Sequence, residues 1–250
     1  MSSSFLSTPD AGWRLTLYPE AGEAGWSFQS SLRAPRRYVP PGFARDPARS
    51  HAEAARRARS KIRRYAAANR LDRFGTLTYR GAGCHDPAQA RADVAEFFRG
   101  LRGALEDKPL PYVWVPEWHE SGHGLHLHFA VNTFVRHRLI EDVWGRGFVS
   151  IKRITGQRHG APKVEGARIA ARYLSKYVAK TFDSEDLGGR HRYEVAQGFQ
   201  PRAVRFTATS DDEALERSID LMGGALPARF WSSAETEDWQ GPPARWVQWT

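Results

Sequence analysis

Tyr112-Val-Trp-Val-Pro-Glu117-Trp-His-Glu-Ser-Gly-His-Gly-Leu-His126-Leu-His128-Phe-Ala-Val131 is the stretch whose reading decides the fold. Two apolar runs flank a polar, glycine-bearing centre, the pattern of a β-hairpin turning at Ser121-Gly122. Side chains alternate along a strand, so His126 and His128 project from one face while Leu125, Leu127 and Phe129 point into a core on the other. With the turn at Ser121-Gly122, Glu117 lies across from His126, and Val115 across from His128. One carboxylate and two imidazoles would then meet on one side of two adjacent strands. Two nitrogen donors and one oxygen donor, with coordination positions left over, suit a catalytic divalent ion better than a closed structural site. The plainer alternative is that the His-x-His pair lines the wet face of a sheet.

Outward from this hairpin the order of elements is regular. Phe74-Gly-Thr-Leu-Thr-Tyr79 alternates as a strand, with Thr76 and Thr78 on one face. A helix is predicted over 87–106 from Val94, Phe97, Phe98, Leu101 and Leu105 at helical spacing. After the hairpin come a short helix over 136–144, stopped by Gly145 and Gly147, and a strand over 148–154. The sequence βαββαβ predicts an α+β, ferredoxin-like arrangement: an antiparallel sheet with its helices mainly on one face.

The flanks differ in character. Residues 32–73 hold thirteen Lys and Arg against three Asp and Glu, while the chain as a whole carries +9, so everything outside this segment is close to neutral. After prolines at 35, 40, 41 and 47, residues 51–69 are Ala- and Arg-rich and read as a helix. Arg56, Arg57, Arg59, Lys61, Arg63 and Arg64 cover more than one side of it, leaving Ile62 and Tyr65 to bury. Such one-sided charge favours phosphate contact over a merely solvated face, and a polyanionic partner, nucleic acid first. Residues 1–31 contain two alternating runs, around Trp13 to Tyr18 and Trp26 to Phe28, that form either an added hairpin or a loose lead-in. Beyond residue 182, residues 188–192 read as a loop, Ser210-Asp-Asp-Glu213 opens a helix as a capping box, and the tail carries Trp231, Trp239, Trp246 and Trp249. Hydrophobic content of 41% is that of a globular chain. A lone cysteine, Cys84, fits a reducing compartment, and there is neither a signal-peptide core nor a membrane-length apolar run. A soluble, cytoplasmic protein is expected.

The remaining helix, over 166–182, carries a second constellation: Tyr173-Leu-Ser-Lys176-Tyr177-Val-Ala-Lys180. Tyr173 and Tyr177 share one helical face, each followed three residues later by a lysine, while Leu174 and Val178 face the core. Alone, paired tyrosines on an amphipathic helix are packing residues. Beside a metal held by Glu117, His126 and His128 they suit one reaction. A phenol with pKa near 10 attacks a phosphodiester only if the phosphorus is made electrophilic and the charge on the phenol is compensated. The metal serves the first need and Lys176 or Lys180 the second, giving a covalent tyrosyl phosphate that conserves the bond for rejoining.

These motifs, in this order, resemble the HUH endonucleases, and among them the rolling-circle replication initiator (Rep) proteins of bacterial plasmids and phages. The strand of Phe74 to Tyr79 resembles the family's first motif, His126-Leu-His128 its second, and the helix of Tyr173 and Tyr177 the third, in its two-tyrosine form. The resemblance covers residues 70–182. It implies an HUH nuclease fold with N- and C-terminal extensions (1–69 and 183–250), and site- and strand-specific nicking and joining of DNA through a 5′-phosphotyrosine. A third metal ligand from the strand before the histidines would be Glu117, with His119, Glu120 and His123 close in sequence. Hard-ligand preference implies Mg²⁺ or Mn²⁺. The partners implied are single-stranded or hairpin origin DNA, a separate helicase and a host polymerase, with no membrane. A relaxase or single-strand transposase of the same superfamily is the near alternative, and a non-catalytic RRM-like module with Phe74, Tyr79 and Phe129 as stacking residues the distant one.

Overall fold

The computed structural model describes residues 11–30, 39–40, 43–156, 161–183, 187, 191–237 and 239–250, the side chains of 182 and 183 excepted. The start of the basic segment (32–38, with Arg33, Arg36 and Arg37), its residues 41–42 and the glycine loop at 188–190 lie outside the described residues. The chain forms two compact units, residues 44–200 and residues 1–43 with 201–250.

In the unit of residues 44–200, helix α1 (Pro47–Ala68) is followed by β3 (Arg73–Tyr79), α2 (Pro87–Ala104), β4 (Tyr112–Trp118), β5 (Leu125–Val131), α3 (His137–Trp144), β6 (Gly147–Arg153), α4 (Lys163–Asp183) and β7 (Glu194–Val195); β1 (Gly12–Tyr18) and β2 (Glu23–Gln29) precede it in sequence and belong to the other unit. The sheet runs β6-β3-β5-β4-β7, with every neighbouring pair antiparallel. Strand β5 inserts between β3 and β4, and β3 between β5 and β6, so each helical crossover skips one strand, as the split βαβ arrangement requires.

Local chemistry explains where the helices begin. Asp86 accepts a hydrogen bond from the backbone N–H of Ala88 and Pro87 opens α2; Asp46 and Pro47 do the same for α1 through Arg49 N–H. Gly145, at φ 57°, ends α3 in the left-handed conformation.

The two helices of the βαββαβ core share one face, where Val94, Phe97, Phe98, Leu101, Ile140 and Trp144 bury against Leu77, Leu125, Leu127 and Phe129. The opposite face is not open, as an arrangement with helices mainly on one face would leave it. There Ile62 and Tyr65 of α1 and Ala170, Leu174 and Val178 of α4 close over Phe74, Val113, Val115 and Ala130. The sheet is thus buried on both sides, and its polar side chains are enclosed beneath α4. The helix expected to stand as an extension, α1, is bound into this unit because its apolar stripe has α4 to bury against.

Gly166 lets α4 reach the sheet. A Cβ there would lie 2.2 Å from the carbonyl oxygen of Ile154 and 3.5 Å from Asp72 Cβ. The helix-propensity gain of Gly166→Ala is at most about 1 kcal/mol, and overpacking costs about 1–3 kcal/mol. A lower urea midpoint is therefore expected; an unchanged or raised midpoint would show that α4 is not seated this tightly.

The other unit contains β1 (Gly12–Tyr18), β2 (Glu23–Gln29), β8 (Val204–Ala208), α5 (Asp211–Leu221), β9 (Arg229–Ser232) and β10 (Ala244–Gln248). Its sheet runs β8-β1-β2-β10-β9. The two N-terminal runs form a hairpin, and Leu15, Leu17, Ala24, Trp26, Val247 and Trp249 make a core with Ala214 of α5. Among the described residues no helix is long and apolar enough to cross a membrane.

Candidate functional site

The hairpin register sets Glu117 opposite His126 and Val115 opposite His128, while β3 sets Thr76 opposite His128 and Thr78 opposite His126. All these polar groups emerge on the face covered by α4. His128 is 5% exposed and sits at the centre. Its Nε2 lies 2.7 Å from Glu117 Oε2, and its Nδ1 lies 3.0 Å from the Thr76 hydroxyl. With the carboxylate ionised, Nε2–H donates to Glu117 and Nδ1 accepts from Thr76. A hydroxyl can donate or accept, so Thr76 can also hold the other tautomer.

Helix α4 lays its tyrosines over this pair. The Tyr177 ring stacks on the His128 ring, centroids 3.7 Å apart and planes 12° from parallel. Phe74 supports the group, with ring centroids 5.8 Å from His128, 6.2 Å from Tyr177 and 5.8 Å from Tyr173. Tyr173 is 43% exposed, and the Lys152 ammonium sits 5.6 Å from its ring centroid. The two phenols therefore have different surroundings: Tyr177 lies against the imidazole and Tyr173 opens to solvent. Burial pushes the Tyr177 phenol pKa up, the Glu117 charge adds to this, and Lys180 opposes it. The phenol is held protonated.

Of the two lysines, Lys180 reaches carboxylates: its Nζ is 2.8 Å from Glu117 Oε1 and 3.0 Å from Glu120 Oε1. Those bonds raise its pKa, Glu117 contributing most. Burial pushes the Glu117 carboxyl up, but the hydrogen bonds from His128 and Lys180 and their charges outweigh it, leaving the pKa below the ordinary range. Lys176 is exposed.

His126 belongs to a different neighbourhood. Its ring stacks on His119 at 4.2 Å, with His123 at 6.3 Å. Burial, then the charges of His119, His128 and His123, lower its pKa to about 4, so the imidazole is neutral at ordinary pH. Its Nε2 is buried with no hydrogen-bond partner. The structure thus joins Glu117 to His128 and leaves His126 apart from them; among the described residues no three His, Cys, Asp or Glu side chains stand together as a finished metal-binding group. The donor set nevertheless fits a divalent ion. Were such an ion bound, the partnerless Nε2 of His126 would be free to donate to it, and the His128–Glu117 pair would supply the further nitrogen and oxygen.

Thr76, Phe74 and Glu120 join the site although spacing alone does not single them out for it. A threonine or phenylalanine in a strand reads first as β-propensity, and Glu120 is one of several polar residues near the turn. The basic side chains lie along α1, with Arg56, Arg57, Arg59 and Lys61 exposed and Arg63 and Arg64 half-buried.

The imidazole–carboxylate pair thus sits on a split βαβ sheet beneath a tyrosine-bearing helix. The family model for the replication-associated protein ORF2 family matches residues 72–182, from the residue before β3 to the last turn of α4. That match supports a replication initiator protein. No curated protein and no solved structure matches the chain.

Proposed function

We propose that the protein nicks and rejoins one DNA strand through a tyrosyl-phosphate intermediate and so starts rolling-circle replication of a plasmid or phage. The observation that carries this reading is the Tyr177 ring stacked at 3.7 Å on His128, which is itself bonded to Glu117. The stacked phenol, the His128–Glu117 pair and, apart from them, the His126 imidazole lie on one face of the segment that matches the replication family.

In the reaction proposed, a tyrosine oxygen bonds to phosphorus as the bond from phosphorus to the 3′ oxygen breaks; the phenol gives up one proton, the departing 3′ oxygen takes up one, and a 3′-hydroxyl is released. His126, His128 and Glu117 would hold Mg²⁺ or Mn²⁺, which when bound offsets charge on the non-bridging phosphate oxygens. Lys180 helps to keep the Glu117 carboxylate ionised, and its charge, which also acts on the Tyr177 phenol, would offset negative charge as it develops. Lys176, exposed on the same helix, is placed to meet a phosphate arriving from solvent. Tyr177 and Tyr173, one turn apart, supply two acceptors, so a single chain can perform the opening and closing transfers. The basic run of α1 grips the DNA backbone by charge.

The test is direct. Protein mixed with a single-stranded or hairpin oligonucleotide of the cognate origin and Mn²⁺ is expected to yield a denaturation-resistant protein–DNA band and a free 3′-hydroxyl fragment. Cleavage without any covalent band would rule out the tyrosyl intermediate.

A second outcome follows from Thr76. Without its hydroxyl, His128 Nδ1 loses the bond that orients the ring. Thr76→Val is expected to weaken Mn²⁺ binding by about 10- to 100-fold, the usual scale for partners behind a metal ligand. Calorimetric titration reads this directly, and wild-type affinity in the variant would mean that Thr76 plays no part in presenting His128.

A further inference from the structure

A groove of about 690 Å³ lies between α1 and the segment that follows α4. Arg56, Arg57, Lys61 and Arg64 line one wall, Arg192 and Tyr193 the other, and among the described residues no acidic side chain is part of the lining. Both walls lie outside residues 72–182, and they come from parts of the chain more than a hundred residues apart. The second wall is built in. Arg91 of α2 donates to the His191 carbonyl at 2.5 Å and pairs with Glu194 at 2.6 Å. Strand β7 pairs with β4, and the Tyr65 hydroxyl donates to the Ala196 carbonyl at 3.1 Å. The Lys61 ammonium stands 5.8 Å from the Tyr193 ring centroid, linking the two walls. Glu53, one turn before Arg57, meets it at 3.6 Å in an exposed, solvent-screened pair.

We infer that this groove is a binding channel for the phosphodiester backbone of single-stranded DNA, gripped from both walls, with Arg192 as much a part of it as the arginines of α1. The occupant follows from charge and shape. Five cationic side chains converge on one groove, and such a surface tracks a phosphate chain rather than a neutral ligand. The two-walled geometry also selects among the basic residues of α1. Arg59, equally exposed on the same helix, does not line the groove. A helix acting only as a positive rod would make no such distinction.

The inference rests on the reading that the partner is DNA, but not on cleavage. Binding of the whole chain to a fluorescent single-stranded oligonucleotide is measured in EDTA across a salt series, with a duplex of the same sequence for comparison. Each phosphate-binding cation removed flattens the slope of log K against log salt by about 0.7 on a single strand. Arg192→Ala and Arg64→Ala are each expected to flatten it by about that amount, Arg192→Lys to restore it, and Arg59→Ala, outside the groove, to flatten it by less. The single strand is expected to show the larger effect. An effect of Arg59→Ala equal to that of Arg192→Ala, or an unaltered slope in Arg192→Ala, would overturn the channel, as would a change confined to the duplex. If the slopes follow the groove but Mn²⁺ produces no nick, the channel stands and the nicking reading falls.

Discussion

The double variant Tyr173→Phe/Tyr177→Phe is expected to form no covalent adduct with origin DNA, a loss on the scale of a removed nucleophile, about 10⁴-fold or more. Phenylalanine keeps both rings, so the stacking of position 177 on His128 and the contacts of both positions with Phe74 persist, and only the hydroxyls disappear. Folding and DNA affinity should therefore match the wild type. The single variants should separate the two transfers. Tyr177 lies against His128, and the charges of Glu117 and Lys180 act on its phenol, so Tyr177→Phe should remove most of the first adduct. Tyr173 is more exposed, and Tyr173→Phe should leave the first nick but impair strand joining. Adduct at wild-type yield from the double variant would place the nucleophile elsewhere.

Removing the proposed metal should be nearly as damaging. His126→Ala is the cleanest substitution, because the Nε2 it deletes has no hydrogen-bond partner and the ring is neutral. A loss of cleavage of at least about 100-fold is expected, since partners behind a metal ligand alone cost about 10- to 100-fold. EDTA should act alike on the unaltered protein, and Mn²⁺ should restore it but not the variant. His128→Ala should be at least as severe, but it also removes the surface on which Tyr177 rests and the acceptor of the Thr76 hydroxyl. Undiminished cleavage by His126→Ala in the presence of chelator would take the metal out of the reaction.

Much of the unit of residues 44–200 is legible in the sequence because its signals are local. The alternation of Leu125, Leu127 and Phe129 against His126 and His128 fixes which side of β5 is core, and those three residues bury among the side chains of α2 and α3. The turn chemistry around Ser121 and Gly122 fixes the register that sets Glu117 opposite His126. Pairings with no local signal are not legible in this way. Strands β8 and β10 pair with the N-terminal hairpin from roughly 190 to 225 residues away, β9 adding beyond β10, and nothing in their spacing announces the partner. The same holds for α1. Its arginines catch the eye, while Ala58, Ile62 and Tyr65, which decide that it packs on α4, resemble any amphipathic helix. Within the site, cross-strand register brings the residues opposite one another, but rotamers decide which side chains touch. Glu117 turns diagonally to His128, and His126, its neighbour in register, stacks on His119 instead.

The measurement that bears most directly on the central claim is to trap the protein on its DNA, digest it with trypsin and identify the peptide that carries nucleotide. Arg172, Lys176 and Lys180 bracket the tyrosines, so trypsin releases Tyr173 and Tyr177 on separate four-residue peptides. Nucleotide attached through a 5′-phosphate to Tyr177, and to Tyr173 once joining has begun, is the expected result. Nucleotide on any residue outside that helix, or a cleaved strand with no peptide attached, would contradict the account.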